Sequence, residues 1–416
     1  MFSAATSPES LSSDHRADPA GGRRPSRDAF FDNAKYLAIV LVAVGHAWEP
    51  VKGDSRTLQG LYMVVYAFHM PAFIIISGYF SRSFDLRPDR LKRLITGIAV
   101  PYILFETAYF AYRRFWEKDA GADLSLLDPW YLTWFLCALF LWRLTTPIWK
   151  LIRWPLPVAL GIAMVATLSP EIGDDLDMQR VLQFLPCFVL GLCLRREHFR
   201  MVRRTSVRIL SVPVFAAAVL AGWWAVPRMD SSWFYRSNSA EELGAPWWAG
   251  PVMVLVMFGG AVLLTACFFA WVPGRTTWFT ALGTGTMAGY LLHGFVVKLA
   301  DHQGWYDPAW LRHPLGEIFV TAVAAAGVTL LCTPFVMRGL RFALEPRMDW
   351  AFRPDAGRAA RERRSSGERA GAGAGSGTEA GAGTGTEAGA GTGTEAGAGT
   401  GTEAGAGSGR REKVDA

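Results

Sequence analysis

A lysine and two histidines stand inside stretches that are otherwise apolar. Lys35 and His46 lie in DNAKYLAIVLVAVGHAWEP, which begins at Asp32, and His69 lies in YAFHMPAFIIISGY, which ends at Tyr79. An ionisable group at bilayer depth is costly and faces a bundle interior or a water-filled cavity, so this stretch is a candidate site. Imidazole changes charge near neutral pH and suits the removal of a proton from a hydroxyl. Lys35 and His46 are eleven positions apart. That is about three helical turns, so both share one face with an axial offset of roughly 16 Å. A lysine near a helix end also serves as a snorkelling orientation charge, and that reading competes for Lys35.

Other chemistry-bearing residues fall at comparable positions. His293 lies in GYLLHGFVVK and Glu106 in an apolar run after Pro101. With His46 and His69 they suggest one shared polar cavity, the alternative being separate hydrogen bonds between helices. Arg90 and Arg93 stand three apart at the start of the same run as Glu106, with Lys92 between them. Spaced so, two guanidinium groups project from one helical face and can hold a phosphate bidentately. Ordinary orientation charge is the competing account of this pair.

The elements that must position these groups are membrane helices. The chain has 416 residues, of which 51% are hydrophobic and 19% charged. Apolar runs of about 20 residues, enough to span a hydrocarbon core of about 30 Å, recur from Phe30 to Met337. Ten candidate spans follow: 31–50, 60–80, 91–112, 129–146, 154–170, 179–195, 207–227, 247–272, 277–299 and 315–337. The expected fold is all-α, an integral membrane bundle of about ten transmembrane helices with disordered N- and C-terminal tails. The domain boundaries expected are a tail at 1–27, the membrane domain at 28–341 and a C-terminal tail at 342–416.

Charge gives the bundle an expected direction. With the N-terminus cytoplasmic, the short inner loops hold Arg82, Arg87, Arg90, Lys92 and Arg93, then Lys150 and Arg153, then Arg195 to Arg204, then Arg275. This satisfies the positive-inside rule, and an even number of spans returns the C-terminus to the cytoplasm. The net charge of +6 is thereby explained by membrane orientation rather than nucleic acid. No removable signal peptide is evident in the first 27 residues. The five cysteines lie in apolar runs without metal-ligand spacing, so no metal is expected. Beyond Met337, Arg338, Arg341, Arg347 and Arg353 are close enough to the bilayer to meet anionic headgroups. From Gly371 the chain repeats EAGAGTGT, which has no large apolar side chains to offset ordering entropy.

Taken together, the Lys35-x10-His46 arrangement, FHMPAFIIISGY, the Arg90-x-x-Arg93 pair and YLLH ending at His293 resemble the acyltransferase 3 family. YLTWFLCALFLWRL from Tyr131 and FLPCFVLGLCL from Phe184 are similar to its fourth and sixth helices. The wording is nearest the branch similar to fucose 4-O-acetylase. The resemblance implies a bacterial inner-membrane O-acyltransferase using acyl-CoA, acetyl-CoA by default. Its acceptor would be a carbohydrate or lipid-linked sugar. It implies His46 as the leading catalytic residue and Lys35 as its motif partner. Arg90 and Arg93 become donor-binding residues, with Lys35 also able to neutralise CoA phosphates; depth within the spans, not the resemblance, places His69, His293 and Glu106 near the reacting end. Lys35 stands where many members have arginine, giving up bidentate geometry but keeping the charge. His46 would act as a general base or as an acyl relay. The competing class is a transporter or flippase for a sugar or glycolipid precursor, against which stands the lack of an internal repeat between the two halves.

Overall fold

The computed structural model describes residues 28–352, apart from 122, 173, 174 and the side chain of Asp54. The tails expected at 1–27 and over most of 342–416, the EAGAGTGT repeats among them, lie outside the described residues.

The described residues are helical. In chain order the principal helices are α1 (Ala29–Trp48), α2 (Arg56–Ser81), α3 (Pro88–Trp116), α4 (Trp134–Leu151) and α5 (Pro155–Ala166). There follow α6 (Met178–Cys193), α7 (Thr205–Ala225), α8 (Ala249–Trp271), α9 (Thr286–His302) and α10 (Pro314–Leu331). Their starts are written in the sequence. Asp28 accepts a hydrogen bond from the Phe30 N–H at 3.2 Å and Ser55 one from Leu58 at 3.2 Å, satisfying donors that a helix N-terminus leaves open. Pro88, Pro155 and Pro314 open α3, α5 and α10, where a missing N–H costs nothing.

Among the described residues, seven helices are long and apolar enough to cross a membrane: α1, α2, α3, α6, α7, α8 and α10. The other three stand where further spans are expected but fall short on length or apolarity. α5 has 12 residues and α9 has 17, and α4 carries Arg143 and Lys150. Two of these helices begin later than their expected spans. Residues 129–133 form a turn in which Tyr131 has φ 56°, so α4 starts only at Trp134. Residues 280–284 form a tight turn before α9, with Gly283 pressed against the Asp32 backbone.

α2 is central, packing on α1, α6, α7 and α8. Small residues permit this: a Cβ on Gly78 would strike the Phe188 carbonyl, and one on Gly191 the Ile75 carbonyl. Close backbone approach through glycine is a recurring device of membrane helix pairs. The core that results is rich in aromatic side chains, with Trp142 donating to the Val181 carbonyl at 3.0 Å. α7 and α10 instead expose Ile209, Leu220, Leu315 and Leu330, an apolar rim suited to lipid.

Candidate functional site

α1 carries a cavity at each end. Asn33, fully buried, donates to the carbonyls of Pro273 and Arg275 at 2.8 and 3.0 Å, and accepts from Thr280 at 2.7 Å. This locks the first turn of α1 to the 273–284 segment. Lys35 lies two residues further on and meets Asp32 at 2.7 Å. It lines a cavity of about 580 Å³ with Phe31, Phe73, Ser77, Arg143 and Arg196. Arg90 and Arg93 line a neighbouring recess of about 350 Å³, which shares Phe80 and Arg143 with the first.

His46 lies at the other end of α1, in a chamber of about 450 Å³ lined also by Tyr66, His69, Tyr131, Trp134 and Lys298. Its Nδ1 is surrounded: Tyr131 Oη at 3.1 Å, Tyr66 Oη at 3.4 Å and Glu49 Oε1 at 3.4 Å. Nε2 is therefore the ring nitrogen left for a substrate. Glu49 in turn accepts from Tyr66 at 2.5 Å and Tyr62 at 3.0 Å, and Tyr62 meets Tyr235 at 2.9 Å. Glu49 follows directly on the last residue of α1. Burial pushes its carboxyl up, but the charge of His46 and hydrogen bonds from His46, Tyr66 and Tyr62 outweigh this and hold it down at about 2.

The other two histidines are held differently. His69 Nδ1 donates to the Val65 carbonyl at 2.7 Å, and His293 Nδ1 to the Gly289 carbonyl at 2.9 Å. A carbonyl only accepts, so each Nδ1 carries a proton and each neutral ring presents an Nε2 lone pair. The His293 ring lies 5.5 Å from that of His46, and its buried Nε2 has no partner. A buried acceptor left unsatisfied calls for an explanation in function.

Glu106 does not line the chamber. It is buried at 4% exposure, and its Oε2 accepts from the Trp130 N–H at 3.1 Å and from the Thr133 hydroxyl. These contacts hold the turn in which Tyr131 adopts its left-handed backbone, a conformation uncommon for a bulky residue and sustained only by its surroundings. Tyr290 secures the same turn by donating to the Leu132 carbonyl at 2.5 Å. The product of this bracing is the Tyr131 hydroxyl set on His46.

The seven residues singled out by sequence thus divide into His46 and His69 in the chamber and Lys35, Arg90 and Arg93 at the other end, with Glu106 behind the chamber wall and His293 lining a separate, mostly apolar cavity of about 390 Å³, so the single polar cavity expected for His46, His69, His293 and Glu106 holds only the first two. Sequence reasoning missed four more. Glu49 stands one turn beyond His46 and Tyr66 one turn before His69, spacings that could have been followed. Arg143, a lone cation inside an expected span, carried the same signal that exposed His46. Tyr131 gave none, since its role depends on the turn.

The family profile of the acyltransferase domain, acyltransferase 3, matches residues 28–337. The nodulation protein NolL of Sinorhizobium fredii is 27% identical over 308 residues, covering 66% of this chain and 80% of that protein. A NolL of Mesorhizobium japonicum is 42% identical over 72 residues, 17% of this chain and 19% of that one. No solved structure matches. The profile runs from the cap of α1 to beyond α10, across both cavities of α1, and the chain belongs to the acyltransferase 3 family as a membrane acyltransferase of O-acetyltransferase type.

Proposed function

We propose that this acyltransferase moves an acyl group, acetyl by default, from cytosolic acyl-CoA to a hydroxyl of a carbohydrate or lipid-linked sugar. Its place would be the inner membrane, crossed ten times, with both termini cytoplasmic. The observation that carries the reading is the separation of labour along α1. Cations surround the cavities at the Lys35 end, and an imidazole with one free nitrogen faces a chamber at the other.

A thioester is already activated, so the enzyme needs chiefly to deprotonate the acceptor and orient it. His46 Nε2 takes the hydroxyl proton as the oxygen attacks the thioester carbonyl. The C–S bond then breaks, and the proton passes to the departing thiolate. Glu49 beside Nδ1 offsets the positive charge that His46 gains in the attack. His293 Nε2 accepts a hydrogen bond from a second hydroxyl or from the nucleophile itself, fixing which oxygen reacts. Aromatic walls at Tyr66, Tyr131 and Trp134 suit the apolar faces of a sugar ring.

The test uses membranes supplied with labelled acetyl-CoA. Label should enter an acceptor with release of free CoA, and His46→Ala, folded normally, should lower transfer about 10²- to 10⁴-fold, the usual contribution of a general base. Full transfer by His46→Ala refutes the assignment. Strict dependence on both substrates together supports direct transfer, and a trapped acyl-enzyme supports relay through His46. Movement of substrate without CoA release would point to a transporter.

A further inference from the structure

Arg143 lies on α4 where the two cavities at the Lys35 end adjoin, and it lines both. The other cations of the larger cavity are neutralised: Lys35 by Asp32 at 2.7 Å and Arg196 by Asp28 at 3.1 Å. In the smaller recess Arg90 has Asp85 at 3.4 Å, and Asp89 also contributes to the wall. Arg143 is different. Its Nε donates to Ser81 Oγ at 3.1 Å, and no carboxylate among the described residues faces its guanidinium. Ser81 is itself tied down, donating to the Ser77 carbonyl at 2.7 Å. The guanidinium is thereby fixed through one nitrogen, with its remaining donors open to the cavities.

A half-buried arginine inside an apolar helix without a counter-ion is costly unless a ligand completes it. Arg93 also lacks an ion pair among the described residues and lines the same 350 Å³ recess. Two uncompensated guanidinium groups on α3 and α4 make a site for a multiply charged phosphate, the geometry for which arginine is suited.

We infer that Arg143 is the phosphate anchor of the acyl donor, holding the nucleotide diphosphate in the Arg90–Arg93 recess while the thiol-bearing arm turns into the Lys35 cavity. The inference rests on the acyl-transfer reading and adds to it a division of the donor at Arg143. The arm must then cover the axial offset of roughly 16 Å between Lys35 and His46. Anchoring the phosphates at the start of that path fixes where the thioester arrives.

The experiment compares two thiols on purified protein by calorimetry: coenzyme A, and pantetheine, which has the arm without the phosphates. Wild type should bind coenzyme A more tightly than pantetheine, and adenosine 3′,5′-bisphosphate should compete with coenzyme A. Arg143→Ala should weaken coenzyme A about 10- to 100-fold, the worth of a charge-assisted hydrogen bond or two, and leave pantetheine unchanged. Arg143→Lys, which keeps the charge and loses the fork, should fall between, and it serves if the alanine variant does not fold. Parallel weakening of both thiols, or none, overturns the inference. So does native mass spectrometry showing an anionic phospholipid retained by wild type and lost by Arg143→Ala while coenzyme A affinity holds, since the anchor would then serve a lipid headgroup. Wild type transferring acetyl from acetyl-pantetheine as well as from acetyl-CoA overturns this inference and leaves acyl transfer intact. Binding that follows the expected pattern without any acetyl transfer overturns the activity and leaves the phosphate site.

Discussion

Glu106 separates two accounts of the reacting end most sharply, because an acidic catalyst and a structural brace respond differently to the same substitutions. Its Oε2 accepts from the Trp130 N–H and the Thr133 hydroxyl, both through one oxygen. Glutamine retains an oxygen able to accept both, whereas alanine retains none. Hydrogen bonds to a charged group contribute about 1.5–3 kcal/mol each, so Glu106→Ala should lose roughly 3–6 kcal/mol. That is a large share of the 5–15 kcal/mol by which proteins are typically stable, and the loss falls on the turn that holds Tyr131 against His46. The expected result is that Glu106→Gln keeps transfer within about tenfold of wild type, while Glu106→Ala lowers both melting temperature and transfer. Tyr131→Phe, which removes only the hydroxyl at 3.1 Å from His46 Nδ1, should lower kcat about tenfold with the melting temperature nearly unchanged. The assay is transfer of labelled acetyl with thermal unfolding measured on the same preparations. Loss of transfer in Glu106→Gln of normal stability would refute the bracing role and restore Glu106 as a proton carrier.

Other consequences follow from the same geometry. Glu49→Gln should lower kcat about 10- to 100-fold, because a charged partner of the imidazolium is replaced by a neutral one. The Glu49 carboxyl is held down at about 2, so it stays ionised throughout pH 5–9; its contribution to stability is full above about 4.5 and is lost as pH falls from there toward 2. His293→Phe should change the melting temperature little, since losing the Nδ1 bond to the Gly289 carbonyl is offset by removing a buried Nε2 that has no partner, yet transfer should fall; loss of stability with activity kept would contradict the role given to His293. Gly78→Ala should destabilise by about 1–3 kcal/mol through overpacking against the Phe188 carbonyl, read as a lower melting temperature.

What the sequence made legible follows from which properties are local. Apolar runs mark membrane helices whatever their neighbours, so the seven helices long and apolar enough to cross a membrane were readable, and the shared face of Lys35 and His46 followed from helical spacing alone. Span limits were less so, because hydropathy does not distinguish an apolar turn from a helix: the left-handed Tyr131 delays α4, and the packing of Gly283 on Asp32 delays α9. Depth along a helix was legible, but rotation about its axis was not. Glu106 shares the depth of His46 yet points behind the chamber, toward Trp130 and Thr133. Partnership was hidden for the same reason. Lys35 and Arg143 are both cations in apolar helices, but only coordinates reveal that Asp32 neutralises the first and that no carboxylate among the described residues answers the second. An unpaired charge is thus a property of the packed bundle and not of any segment in it. That is why the anchor inferred for the donor stands on Arg143, a residue that sequence had not singled out although it lies within the YLTWFLCALFLWRL stretch.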